Sequence, residues 1–302
     1  MIIQKLEVYK TARNEFGLCT YKGNKCFYKI KKNMYHEIDG YKKMQKYYKT
    51  PELLNYNCHM AIYKYEEELI KNTLHEYLYF DSEINLKEVV KPYYKSFEDK
   101  IILDEKLSKN VKFFSQRCQN IKNIIGYEYI INEVKKVLLQ PKKLTCFITQ
   151  GDPTDTNISC KGMYTDFENA GYNTVVGEIA IIYASFITHG GYFYPKYNSQ
   201  AYDIRPNKLD YSKNNLIIKN MAVPTKNKNL MMKFIEPLLE DKNVEEEIKN
   251  YLKYYIIMRM LTPIELCKMT EEDNKMLKKH IKRLYECNFN KKRLLEIVDG
   301  KV

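Results

Sequence analysis

Three oxygen-bearing side chains lie close together near the middle of this 302-residue chain: Asp152, Asn157 and Asp166. Asp152 follows a glycine at the end of an apolar run, LTCFIT (144–149). Asn157 comes five residues later, and Asp166 heads an Asp-Phe-Glu triplet. Between the last two, ISC and MYT flank a Lys161-Gly162 turn, so a short hairpin would fold Asn157 and Asp166 back side by side. One carboxylate at a strand end suits a base beside a hydroxyl. Two neighbouring hard oxygen donors suit Mg²⁺, which completes its octahedron with water and substrate phosphates. Together these are the needs of phosphoryl transfer: an acceptor held in line, a base at its proton, and a metal shielding the phosphates.

Such residues must be positioned by scaffold elements, and the sequence supplies them on both sides. FGLCTY (16–21) and KCFYKI (25–30) read as strands joined by a Gly23-Asn24 turn. Period-two alternation puts Lys29 opposite Cys26 and Tyr28, facing a cleft or water, with Lys31 and Lys32 as competitors for any role. MYHEIDGYKKMQKYY (34–48) has helical spacing with Glu37 in its first turns, and Pro51 ends it. LLNYN and HMAIYKYE (59–66) read as further strands. Near Glu66 the period changes from two to 3.6, which marks a lobe boundary and divides the chain into 1–66 and 67–302.

From there to about Gln140 the pattern is helical, with a polar break at about 81–99 and a second break at Gly126. LTCFIT reads as a buried strand, and 175–188 as a buried apolar helix. An aromatic, glycine-rich loop follows (188–206), and then a helical remainder in which Thr262-Pro263 opens a helix. Two acidic patches, 245–247 and 271–273, sit where helix N-terminal turns are expected, and a cation-binding role is the alternative.

Composition narrows the classes. A hydrophobic share of 44% with 29% charged residues is that of a globular protein. The N-terminus reads as no signal peptide, and no apolar run approaches the length of a membrane span, so a cytoplasmic protein is expected. The eight cysteines form no C-x-x-C pair and read as reduced thiols. A net charge of +12 invites a nucleic-acid partner, but Lys, Asn, Ile and Tyr are all abundant together and the lysines form no basic arm. No nucleic-acid partner is therefore expected.

QGDPTDTNI followed by DFENAGYNTVVGEIA resembles the aminoglycoside phosphotransferase and choline kinase family, whose pattern is His-Gly-Asp, four residues, Asn, then Asp-Phe-Glu and a later Asp-Leu-Ala. The resemblance is strong over 144–182 and consistent in layout over 10–80. It implies a protein-kinase-like α+β fold of two lobes, a small antiparallel sheet and a large helical lobe. It implies ATP, Mg²⁺ and transfer to a hydroxyl of a small molecule such as an amino alcohol, a sugar or an aminoglycoside-like compound. Asp152 then matches the base, and Asn157 and Asp166 the Mg²⁺ ligands. Lys29 matches the lysine on the α- and β-phosphates and Glu37 its helix partner. Adenine is expected against Tyr63, Tyr65 and Glu66, and Glu178 falls where the later Asp is usual. Two departures stand out. Gln150 replaces the usual His, a structural hydrogen-bonder, and no glycine-rich loop precedes Lys29, so a phosphate cover would come from around Thr11 to Gly17. These departures leave open a kinase-fold protein kept for binding or assembly with little turnover. Tyr192, Tyr194 and Tyr197 are candidates to stack a sugar or cage a quaternary ammonium; in a chain with 28 tyrosines the loop is equally explained by composition.

Overall fold

The computed structural model describes residues 2–10, 14–79, 83–104, 118, 121, 124–188, 225–262 and 269–299. The N-terminal region is an antiparallel sheet carrying one helix. Its strands are β1 (Gln4–Lys5), β2 (Tyr9–Lys10), β3 (Asn14–Tyr21) and β4 (Asn24–Lys31), followed by α1 (Tyr35–Met44), β5 (Leu53–Tyr56) and β6 (Met60–Lys64). The strand order is β1-β3-β4-β6-β5, with β2 also pairing with β3. The β3–β4 turn is Lys22-Gly23, both at positive φ (49° and 79°), one residue earlier than the sequence suggests, because Asn24 already pairs with Tyr21. Alternation along β4 sends Cys26 and Tyr28 into a small outer cluster with Cys19 and Ile62. Lys29 and Lys31 point to the other face and are buried.

Past β6 the described residues are mainly helical. It runs through α2 (Glu68–Lys71), α3 (Leu74–Tyr79), α4 (Leu86–Glu98), β7 (Ile101–Asp104), α5 (Glu128–Leu139), β8 (Lys143–Thr149), β9 (Gly171–Thr174) and α6 (Val175–Tyr183). After the segment outside the description come α7 (Thr225–Ile235), α8 (Lys242–Glu247), α9 (Lys253–Leu261), α10 (Glu271–Glu286) and α11 (Lys291–Asp299). The expected helix at 175–188 is present, its last turn being π-type from Ala184 to Thr188. Thr270 caps α10 by accepting from the Asp273 amide, which accounts for the second acidic patch. The helix expected to open at Thr262-Pro263 lies outside the described residues.

Two parts of this region differ from the sequence reading. The supposed polar break contains α4, whose buried residues Val89, Val90, Tyr93, Ser96 and Phe97 make one helical stripe. Frequent Lys and Glu, with Pro92 inside the helix, disguise it. β7 was read as helix; it pairs with β8, which pairs in turn with β9 in a three-stranded antiparallel sheet. β8 is buried from Leu144 onward. Phe147 packs edge-to-face on Tyr93 and Phe97, with ring centroids 4.9 and 5.4 Å away. The end of β8 is pinned at the Ile148 carbonyl, which accepts from Tyr48 Oη (2.9 Å) and Ser96 Oγ (2.5 Å). The strand that delivers Asp152 is therefore fixed from two sides. No helix among the described residues is long and apolar enough to cross a membrane.

Candidate active site

The chain leaves β8 through Gln150, Gly151 and Asp152. Gly151 holds φ +81°, and a Cβ there would sit 2.2 Å from the Asn169 carbonyl oxygen, so the turn after the strand accepts only glycine without rearrangement. Gln150 is buried and joins both halves of the site. Its Nε2 donates to the Thr165 and Asp166 carbonyls (2.9 and 2.6 Å), and its Oε1 accepts from the Asp152 amide (2.9 Å). The structural hydrogen bonding expected of a His at this position is thus carried out by the glutamine.

Asn157 is fixed in turn. Its Nδ2 donates to the Asp152 carbonyl at 3.0 Å, which orients the amide and leaves Oδ1 for a cation. The Lys161-Gly162 turn forms as expected. Ile158 bridges Tyr164, Ser159 accepts from Gly162 and exchanges with Met163, and the Thr165 amide donates to the Asn157 carbonyl at 2.9 Å. Asn157 is therefore paired next to Asp166 across the turn.

Asp166 adopts a left-handed conformation (φ 58°, ψ 76°), uncommon for a residue with a side chain and typical of strain held at functional sites. Its Oδ1 accepts from Lys29 Nζ at 2.5 Å, and Lys29 also donates to Glu37 Oε2 at 2.8 Å. Residues 29, 37 and 166, from a strand, a helix and a turn, thus meet at one point. Gly40 makes this approach possible: a Cβ there would lie 2.1 Å from the Phe167 carbonyl oxygen. Phe167 itself is buried edge-on to Tyr41, 5.3 Å between centroids. Burial opposes ionisation of both partners. The attraction of Lys29 and Lys31 outweighs it for Asp166, whose carboxyl is held below its usual range; Asp166 and Glu37 keep Lys29 firmly protonated.

Three residues here make contacts that the sequence does not reveal. Arg259, from α9, donates to Asp152 Oδ1 at 2.7 Å, with its own side chain 8% exposed. Lys31 donates to Glu37 Oε2 (2.9 Å) and Glu168 Oε2 (2.6 Å). His75 Nδ1 lies 2.9 Å from Asp155 Oδ2, tying α3 to the loop between Asp152 and Asn157. The arginine and the histidine lie 107 and 80 positions from their partners and carry no spacing signal; only i, i+2 alternation from Lys29 points to Lys31.

Other expected residues fall elsewhere. Glu178 is fully buried on α6, accepting from Tyr93 Oη at 3.2 Å. Burial pushes its carboxyl up to about 8, against hydrogen bonds from Thr149 and Tyr93. Tyr63 is buried beside Tyr41 and Phe167 and so presents no open face to a nucleotide base. Tyr65 and Glu66 follow β6, with Lys25 Nζ 4.2 Å from the Tyr65 ring centroid. Glu247, expected as a helix-start acid, instead lies buried at the end of α8, accepting from the Thr145 amide (2.7 Å) and hydroxyl (2.8 Å). Tyr192, Tyr194 and Tyr197 lie outside the described residues, as do residues 11–13 of the expected phosphate cover.

Among the described residues no three His, Cys, Asp or Glu side chains converge as a self-sufficient metal cage. Asn157 and Asp166 supply two hard oxygen donors, which fits a metal that shares its shell with phosphate oxygens and water.

A scan against protein-family models finds no match, and a search of curated proteins by sequence finds none. Solved structures do match. An amicoumacin kinase, hAmiN, in complex with AMP-PNP, Ca²⁺ and Ami, aligns at TM-score 0.53 and 11% identity, over 94% of this chain and 88% of that one. The aminoglycoside phosphotransferase APH(4)-Ia aligns at 0.50 and 9% identity, over 94% and 93%. A Plasmodium vivax ethanolamine kinase aligns at 0.47 and 12% identity, over 99% and 80%. At such identities the likeness is one of fold: this chain shares with the amicoumacin kinase and the aminoglycoside phosphotransferase an architecture of antiparallel sheet first and helices after.

Proposed function

We propose that this chain transfers the γ-phosphoryl group of ATP to a hydroxyl of a small molecule, with residues 1–66 as the nucleotide lobe and 67–302 as the catalytic and acceptor lobe. The observation that carries this is the convergence of Lys29 and Asp166 at 2.5 Å across 137 positions of sequence, on the turn that also pairs with Asn157 and hydrogen-bonds through Gln150 to Asp152. The solved structures of matching fold include a kinase captured with an ATP analogue, which supports the same reading.

In this reading Lys29 contacts the α- and β-phosphates and Glu37 orients it. Tyr65 and Glu66 lie beside the base. Asn157 and Asp166 would hold Mg²⁺, which would supply charge neutralisation to the phosphates. Asp152 accepts the proton of the acceptor hydroxyl. Arg259 holds Asp152 Oδ1, so Oδ2 remains for that proton. The tyrosines at 192, 194 and 197 stand as candidates for the acceptor side, with amino alcohols such as choline, sugars and aminoglycoside-like compounds as the classes to try.

The test is a panel of hydroxyl compounds assayed for stimulated ADP release. One class should accelerate release by wild type and leave Asp152→Asn at background. The lack of a glycine-rich loop before Lys29 favours a second reading, a binding or assembly protein of kinase fold. ATP binding with no acceptor-stimulated release would establish that reading instead.

A further inference from the structure

The Asp-Phe-Glu turn is fastened to β4 by two ionic contacts, and only one involves residues assigned to the nucleotide. Period-two geometry puts Lys29 and Lys31 on one face of β4. Lys29 reaches Asp166 at 2.5 Å and Lys31 reaches Glu168 at 2.6 Å, so the pairs straddle Phe167. Glu37 lies between them, its Oε2 accepting from both lysines (2.8 and 2.9 Å) and its Oε1 from the Phe167 amide (3.2 Å). The lysine side chains are 10% and 7% exposed and that of Glu37 2%. Glu168 and Asp166 open to solvent at 49% and 43%.

The proposed function sets these pairs apart. If Lys29 goes to phosphate and Asp166 to the metal, their mutual contact has to open. Lys31 and Glu168 have no such duty. We infer that Lys31 is a positioning residue that keeps the Asp166–Glu168 turn docked on β4 and α1 while Lys29 and Asp166 engage Mg·ATP. Without Lys31 the turn keeps one ionic contact to β4, and binding the nucleotide removes it. The inference rests on the phosphotransferase reading.

The experiment is hydrogen exchange across residues 165–170, with and without saturating Mg·ATP, alongside calorimetric Mg·ATP affinity. In wild type the Phe167 amide stays protected in both states. In Lys31→Met it stays protected without nucleotide and loses protection when Mg·ATP is added. Affinity for Mg·ATP falls about tenfold, the worth of one charge-assisted hydrogen bond. Lys31→Arg restores both. Glu168→Gln leaves the Lys31–Glu37 contact in place and gives the same nucleotide-dependent loss, so the test survives if Lys31→Met does not fold. Equal loss of protection in both states would make Lys31 merely structural and overturn the inference, as would unchanged protection and affinity in both variants. Failure of wild type to bind Mg·ATP would overturn the phosphotransferase reading itself, and the role of Lys31 with it.

Discussion

Glu178 offers a prediction whose size follows from the structure. It is fully buried on α6, and its Oε1 has no hydrogen-bond partner among the described residues. Burial raises its carboxyl from the ordinary 4.5 to about 8 in the folded protein. The folded state therefore holds a proton that the unfolded state releases between these values. Stability from this group is complete below about pH 4.5 and is lost as pH rises toward 8. The displacement of 8 − 4.5 = 3.5, at about 1.4 kcal/mol per unit, sets a ceiling of about 5 kcal/mol, and about 2–5 kcal/mol is the expected range. Glu178→Gln removes the titration while keeping shape. Urea unfolding of both proteins at pH 5 and pH 8.5 isolates the effect, because any fixed cost of the amide cancels between the two pH values. The variant should gain about 2–5 kcal/mol relative to wild type on going from pH 5 to pH 8.5. A difference that does not change with pH would refute the assignment of a buried, protonated Glu178.

Asp152→Asn should lower acceptor-stimulated turnover by about 10²–10⁴-fold, the usual worth of general-base help, and leave Mg·ATP affinity by calorimetry unchanged. Arg259→Leu should cost about 2 kcal/mol of unfolding free energy, less than a fully buried pair because the Asp152 side chain is 20% exposed; pairing it with Asp152→Asn should recover part of the loss in a double-mutant cycle. Gly151→Ala should destabilise by more than about 2 kcal/mol in urea unfolding, since it combines φ +81° with a 2.2 Å clash against backbone.

The sequence made local chemistry legible and long-range chemistry mostly not. Asp152, Asn157 and Asp166 lie within 15 positions, and turn chemistry at Lys161-Gly162 brings them together. Alternation along the strand leaves Lys29 open between cleft and water, with Lys31 and Lys32 as competitors, and it is the family resemblance that singles out Lys29 and Glu37. β7 was missed because a four-residue strand has too little pattern to separate it from helix, and α4 because Pro92 and its charges conceal a stripe visible only against Phe147. Arg259 joins Asp152 through tertiary packing over 107 residues, with no local signature. The acid run at 245–247 misled for a related reason: Glu245 sits in the first turn of α8, as macrodipole reasoning expects, while Glu247 is drawn inward by the Thr145 amide and hydroxyl.

On the proposed function, Lys29, Asn157 and Asp166 form one site for a metal-bound nucleotide. Thermal unfolding of wild type and Asp166→Ala, with Mg²⁺ alone, ATP alone and the two together, tests it most directly. The melting temperature of wild type should rise with Mg·ATP well above its value with either component, and that of Asp166→Ala should not rise. No shift in wild type, or an equal shift in the variant, would contradict it.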